Sequence, residues 1–161
     1  MKHNLYREFQ NIFNKEAEKI YFSPGRVNLI GEHIDYNGGL VMPCAVTFGT
    51  YVAVAPNNDG IFRFRSLNFD DKLDVPLQKE YKKTGESWFN YPLGIIDYFL
   101  NDGHQLQGLD MLYYGDIPIS SGLSSSASIE VVTGYMLNDL FNSGYTKLQL
   151  VQLSKQVENV F

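Results

Sequence analysis

Between Pro118 and Ala127 the chain reads Pro-Ile-Ser-Ser-Gly-Leu-Ser-Ser-Ser-Ala, a run in which only Ile119 and Leu123 carry bulky apolar side chains. The β-type residues Leu109 to Tyr114 precede it, and a helical apolar pattern from about Ser124 to Phe141 follows. Strand, small-residue loop and helix must therefore follow one another here. A helix entered in this way has unpaired N–H groups and a positive dipole end, which attract anions, and adjacent hydroxyls add hydrogen bonds or a magnesium ligand. Phosphate is the natural guest. The alternative is that the serines only cap the helix, but one cap residue is enough for that. The run is not a Walker A sequence, since no Gly-Lys-Ser/Thr follows, and it is not a Gly-x-Ser-x-Gly nucleophile elbow.

The remaining pattern predicts an α+β domain over the 161 residues. Leu5, Phe9, Ile12, Phe13, Ala17 and Ile20 recur at helical spacing. Val41 to Val54 has strand composition, broken by Pro43 and Gly49. Asn57-Asn58-Asp59-Gly60 followed by the alternating Phe62 to Ser66 predicts a hairpin. Trp88 to Leu100 predicts a helix that tolerates Pro92 in its first turn and stops near Gly103. Thr146 and Gln149 form a capping-box pattern for a last helix, whose apolar series runs up to Phe161.

Composition removes several classes of function. The net charge of −5 gives no electrostatic footprint for nucleic acid or an anionic membrane. The single cysteine, Cys44, cannot staple the chain and points to a reducing compartment. The first residues lack a secretory apolar run, and no stretch is long and apolar enough to span a bilayer, so a cytoplasmic location is expected.

A second segment carries chemistry. Ser23 to Gly39 reads Ser-Pro-Gly-Arg-Val-Asn-Leu-Ile-Gly-Glu-His-Ile-Asp-Tyr-Asn-Gly-Gly, with a guanidinium, two carboxylates, an imidazole and two amides between glycines. Such an inventory suits a polyhydroxylated ligand such as a sugar. A solvated polar loop with a turn at Asn37-Gly38-Gly39 is the alternative. A metal-hydrolase reading of Glu32, His33 and Asp35 lacks the helical spacing of His-Glu-x-x-His.

Taken together, the two segments resemble the galactokinase branch of the GHMP small-molecule kinases. Gly25 to Gly39 is similar to that branch's signature and Gly122 to Ser128 to the superfamily's phosphate-binding motif, and the likeness extends to Trp88-Phe89-Asn90-Tyr91 and Glu158-Asn159. The resemblance implies an N-terminal GHMP domain over residues 1–161, a mixed sheet with helices packed on it, of the ribosomal S5 domain 2-like type. It implies transfer of a phosphoryl group from ATP to the anomeric hydroxyl of galactose. By motif position, Glu32, His33, Ile34 and Asp35 would contact the sugar. Ser120, Ser121, Gly122, Leu123, Ser124, Ser125 and Ser126 would wrap the nucleotide's phosphates, and Ser66 and Trp88 would line the adenine pocket. Ser126 and Glu158 would coordinate Mg2+, as hard oxygen donors suit it. Arg26 would stabilise the charge on the phosphoryl group in flight.

The same resemblance locates departures. The branch's catalytic Asp lies in a Gly-Ile-Met-Asp-Gln type motif shortly after the magnesium Glu, and this chain reaches Phe161 without it. An N-terminal fragment, inactive by itself, is therefore expected, with self-association through apolar surface meant for a second domain. Ser120 and Ser121 stand where relatives commonly have Gly or Ala, which restricts backbone approach to phosphate. A non-catalytic sugar and nucleotide sensor on the same fold, or a sister kinase for N-acetylgalactosamine, galacturonate or arabinose, are the competing functions.

Overall fold

A computed structural model describes residues 2–31, 38–118 and 124–160. In chain order these form α1 (Lys2–Phe13), β1 (Lys19–Ile30), β2 (Met42–Pro56), β3 (Ile61–Ser66), β4 (Leu73–Pro76), α2 (Asn90–Asn101), β5 (Leu109–Gly115), α3 (Ser125–Phe141) and α4 (Lys147–Val160). The five strands make one sheet in the order β1-β2-β5-β3-β4. Every neighbouring pair is antiparallel except β3 and β5.

Alternation along the strands sorts residues to the two faces. Val52 and Val54 of β2, Phe62 and Phe64 of β3, and Met111 and Tyr113 of β5 enter a large core with Leu93, Ile96 and Phe99 of α2, Val132 and Met136 of α3, and Leu150 and Leu153 of α4. Their neighbours Ala53, Ala55 and Leu112 join Leu5 and Phe9 of α1 in a smaller cluster. On that second face Arg63 pairs with Asp110, its register partner across the parallel ladder, and Arg65 lies 5.9 Å from the centre of the Phe13 ring. The sheet is thus apolar against three helices and part-polar beneath one.

Several sequence expectations meet this fold unchanged. The helix after Trp88 carries Pro92 in its first turn, and Gly103, at φ 88°, follows its end. Thr146 N–H donates to Gln149 Oε1 at 2.9 Å and Gln149 N–H to Thr146 Oγ1 at 3.3 Å, the reciprocal bonds of a capping box.

Others are corrected. The first helix ends at Phe13 because Asn14 turns left-handed at φ 54°, so Ile20 belongs to β1 and Ala17 reaches the small cluster from the connection. The turn after Pro56 does not make a hairpin: β3 pairs with β4 and β5, and β5 lies between β2 and β3. β2 continues through Pro43 and Gly49, with a register shift opposite Pro24 and Arg26. At Gly49 a Cβ would overlap the Ser23 carbonyl oxygen and the Phe22 ring, so this close approach of β1 and β2 requires glycine. Ser23 to Ile30, the first half of the second segment, is strand, with register shifts at Pro24/Arg26 and Asn28/Ile30.

Candidate functional site

The first turn of α3 is fastened to the β1–β2 ladder. Ser128 Oγ donates to the Ser23 carbonyl at 2.8 Å and accepts from Thr50 N–H at 3.1 Å, both within the buried interior. Ser124, at the N-cap, is left-handed at φ 55° and makes no side-chain cap bond. The alternative of simple capping is therefore not what Ser124 does. Arg26 follows Ser23 by three residues along β1, roughly 10 Å further at strand rise. It is exposed and stands opposite Ala45. Glu32, His33, Ile34 and Asp35, and Ser120, Ser121, Gly122 and Leu123, lie outside the described residues.

A cavity of about 270 Å³ opens beside the start of α3, bounded by Ser125, Ser126 and Ile129, by Thr50 of β2, and by Tyr113 and Gly115 of β5. Ser66 and Trp88, expected at an adenine pocket, both line it. Ser66 also has a structural task, since its hydroxyl accepts from the Asn68 N–H at 3.0 Å. Asn68 then grips the end of β5 from both sides, donating to the Gly115 carbonyl at 2.9 Å and accepting from the Gly115 N–H at 2.7 Å. Trp88 is held by its indole N–H on the Asp71 carbonyl at 3.1 Å, and its ring lies 5.5 Å from that of Tyr113. Tyr113 shares a 3.0 Å hydrogen bond with the Thr133 hydroxyl, and burial raises its pKa, so it lines the cavity as a neutral phenol. Asn68, Phe69 and Tyr113 were not legible as site residues, because only the fold brings them to Trp88.

A wider cleft of about 590 Å³ shares Phe69, Trp88 and Tyr91 with this cavity and extends to Glu130 and Glu158. Ser126 Oγ donates to Glu158 Oε1 at 2.9 Å, so the fold brings together the two residues expected at a magnesium site, from α3 and α4. Their hydroxyl and carboxylate oxygens fit Mg2+, which takes few protein ligands and completes its octahedron with water and phosphate. Among the described residues no group of three or more His, Cys, Asp or Glu forms a denser metal cage. Glu130 is buried nearby, and its carboxyl is pushed up to about 8, first by burial and then by the charge of Glu158.

Comparison with known proteins gives a consistent picture. Residues 7–56 match the description "Galactokinase galactose-binding signature" and residues 90–161 match "GHMP kinases N terminal domain". The galactokinase of Clostridium acetobutylicum is 49% identical over 160 residues, covering 98% of this chain and 41% of the relative. That of Streptococcus thermophilus is 44% identical over the same span and share. The crystal structure of Lactococcus lactis galactokinase complexed with galactose superposes with a TM-score of 0.90 at 40% identity, over 98% of this chain and 42% of that one. Methanococcus jannaschii mevalonate kinase, at 23% identity and a TM-score of 0.78 over 88% of this chain and 46% of its own, shares the fold. The chain thus spans about two-fifths of the length of the curated relatives it matches.

Proposed function

We propose that the chain belongs to the galactokinase branch of the GHMP kinases and serves transfer of the γ-phosphoryl group of ATP to the anomeric hydroxyl of galactose, giving galactose 1-phosphate and ADP. The observation that most supports this reading is the Ser126–Glu158 bond at the mouth of a cavity lined by Trp88 and Ser66. It brings an oxygen pair for a cation and an aromatic wall for a base to one end of α3.

On this reading the adenine lies in the cavity beside Trp88 and Tyr113, and its phosphates run past the first turn of α3. Ser120 to Ser126 donate to them. Ser126 and Glu158 hold magnesium, which when bound neutralises phosphate charge and orients the terminal phosphoryl group. Arg26 supplies a permanent cation where negative charge spreads in the transition state. Glu32, His33, Ile34 and Asp35 hold the sugar, their ionised carboxylates accepting from its hydroxyls and discriminating against epimers that misplace them. Cytoplasmic ATP and a reducing setting suit the exposed free thiol of Cys44. Galactose-dependent ADP release by the complete protein, against glucose and the sister sugars, tests the activity. Equal or greater turnover of another sugar would reassign the substrate.

Residues 1–161 alone are proposed to transfer phosphoryl groups only at background, because they span about two-fifths of the relatives' length and the resemblance puts the base outside that span. A coupled assay of this chain should give the same ADP release with and without galactose. A galactose-dependent rate well above the control contradicts this.

Self-association of the chain is proposed from its exposed apolar surface. Leu29, Ile30, Leu40 and Met42 flank the connection from β1 to β2 and are more than half exposed, Leu40 at 91%. Sedimentation should show species heavier than 18.3 kDa as concentration rises. A single monomeric boundary throughout would contradict it.

A further inference from the structure

Glu130 is the one described carboxylate whose two oxygens are both buried without a hydrogen-bond partner, and its side chain has no exposed surface. It follows Ser126 by one helical turn on α3, so the two share a face of the helix. It lines the wider cleft with Glu158, the residue to which Ser126 is bonded. Lys83 lines that cleft too, but it is exposed and does not pair with Glu130.

Packing alone gives no reason for an acid at this position. An ionisable group withdrawn from water with no partner is strongly unfavourable, and a second carboxylate close by makes it more so. Leucine or methionine would fill the same space without that cost. The arrangement makes sense when positive charge arrives at Glu158, which lines the same cleft, and at Ser126, which is bonded to Glu158.

We propose that Glu130 is a positioning residue for the divalent-cation site at Ser126 and Glu158, a second carboxylate that strengthens cation binding through Glu158 and cation-bound water. This rests on the magnesium reading of Ser126 and Glu158 given above. Glu130 thereby draws the cation towards the first turn of α3, where the phosphates are proposed to lie. Its effect falls on cation affinity, while the apolar and aromatic contacts of the nucleotide pocket are left intact.

Mn2+ is the probe, its free concentration read by electron paramagnetic resonance in the presence of ADP, with wild type, Glu130→Gln, Glu130→Met and Glu158→Gln compared. Outer partners of metal ligands are typically worth 10- to 100-fold in affinity, so Glu130→Gln and Glu130→Met should each weaken Mn2+ binding by about 10-fold or more. Metal-free ADP binding and the metal-free melting temperature should not fall, a pattern that general loss of structure would not give. The methionine variant carries the test if the glutamine variant does not fold. If either folded Glu130 variant binds Mn2+ as wild type does while Glu158→Gln does not, the inference is overturned and the magnesium reading stands. If Glu158→Gln also binds as wild type does, or wild type takes up no Mn2+, the magnesium reading fails and the inference falls with it.

Discussion

Asp110→Ala should cost the domain about 3–5 kcal/mol of folding stability, the range for removing one partner of a buried charge network. Asp110 is only 4% exposed and accepts from three groups drawn from separate parts of the chain. Lys15 Nζ lies at 2.6 Å, Arg63 Nη1 at 2.9 Å and Asn57 Nδ2 at 3.0 Å. Alanine would leave all three donors without their common acceptor on the face beneath α1. Arg63 keeps Asp59, Lys15 keeps the Pro56 carbonyl and Asn57 keeps the Ile61 carbonyl, so the loss falls on the charge pairing that joins the segment after α1, and β3, to β5. The damage should also reach the cavity, because the Arg63–Asp110 pair ties β3 to β5 and these strands carry Ser66 and Gly115. Urea unfolding of wild type and variant measures the difference, and a loss below about 1 kcal/mol would contradict the role assigned to the network.

Arg26→Ala in the complete protein should lower kcat by about 10²–10³-fold while KM for galactose and for ATP changes by no more than a few-fold, as loss of an electrostatic contact made mainly in the transition state requires. Arg26 is exposed on β1 and makes no ion pair with a described residue, so its removal leaves no buried charge behind. Folding stability should consequently be unchanged. Arg26→Lys should restore only part of the rate, because an ammonium lacks the planar fork that meets two phosphate oxygens. A variant that loses affinity for either substrate with kcat intact would move Arg26 from the transition state to ground-state binding.

What the sequence made legible was local. The Thr146–Gln149 cap, the helix around Pro92 and the strand at Leu109 each depend on residues a few positions apart. The hairpin expected after Asn57-Asn58-Asp59-Gly60 fails for the opposite reason. The turn signal cannot report that β5, some fifty residues later, takes the place beside β2. Asn14 ends α1 by a left-handed turn that apolar periodicity does not register, which is why Ile20 fell on the wrong element. At the site, Ser66, Trp88 and Glu158 could be named only through the resemblance, whereas Ser126 belongs to the serine run legible from its own residues, and the fold brings Ser126 and Glu158 within a hydrogen bond. Tyr113 carries no motif and meets the cavity through strand register beside Ser66, and Asn68, just beyond β3, meets it through its bonds to Gly115. Glu130 reads as one more polar residue in a helix, and its burial follows from the packing of α3 against α2, α4 and the sheet.

The central claim is that the cavity beside α3 holds a nucleotide whose phosphates are met at Ser126 and Glu158. Trp88, the single tryptophan of the chain, stands in the wall of that cavity and makes its own fluorescence the most direct reporter. Titrating ADP with Mg2+ into wild type should change Trp88 emission along a saturable curve, and Glu158→Gln should remove the dependence of that curve on Mg2+. Emission that stays flat up to millimolar nucleotide, or a curve identical in Glu158→Gln with and without Mg2+ to that of wild type, would contradict it.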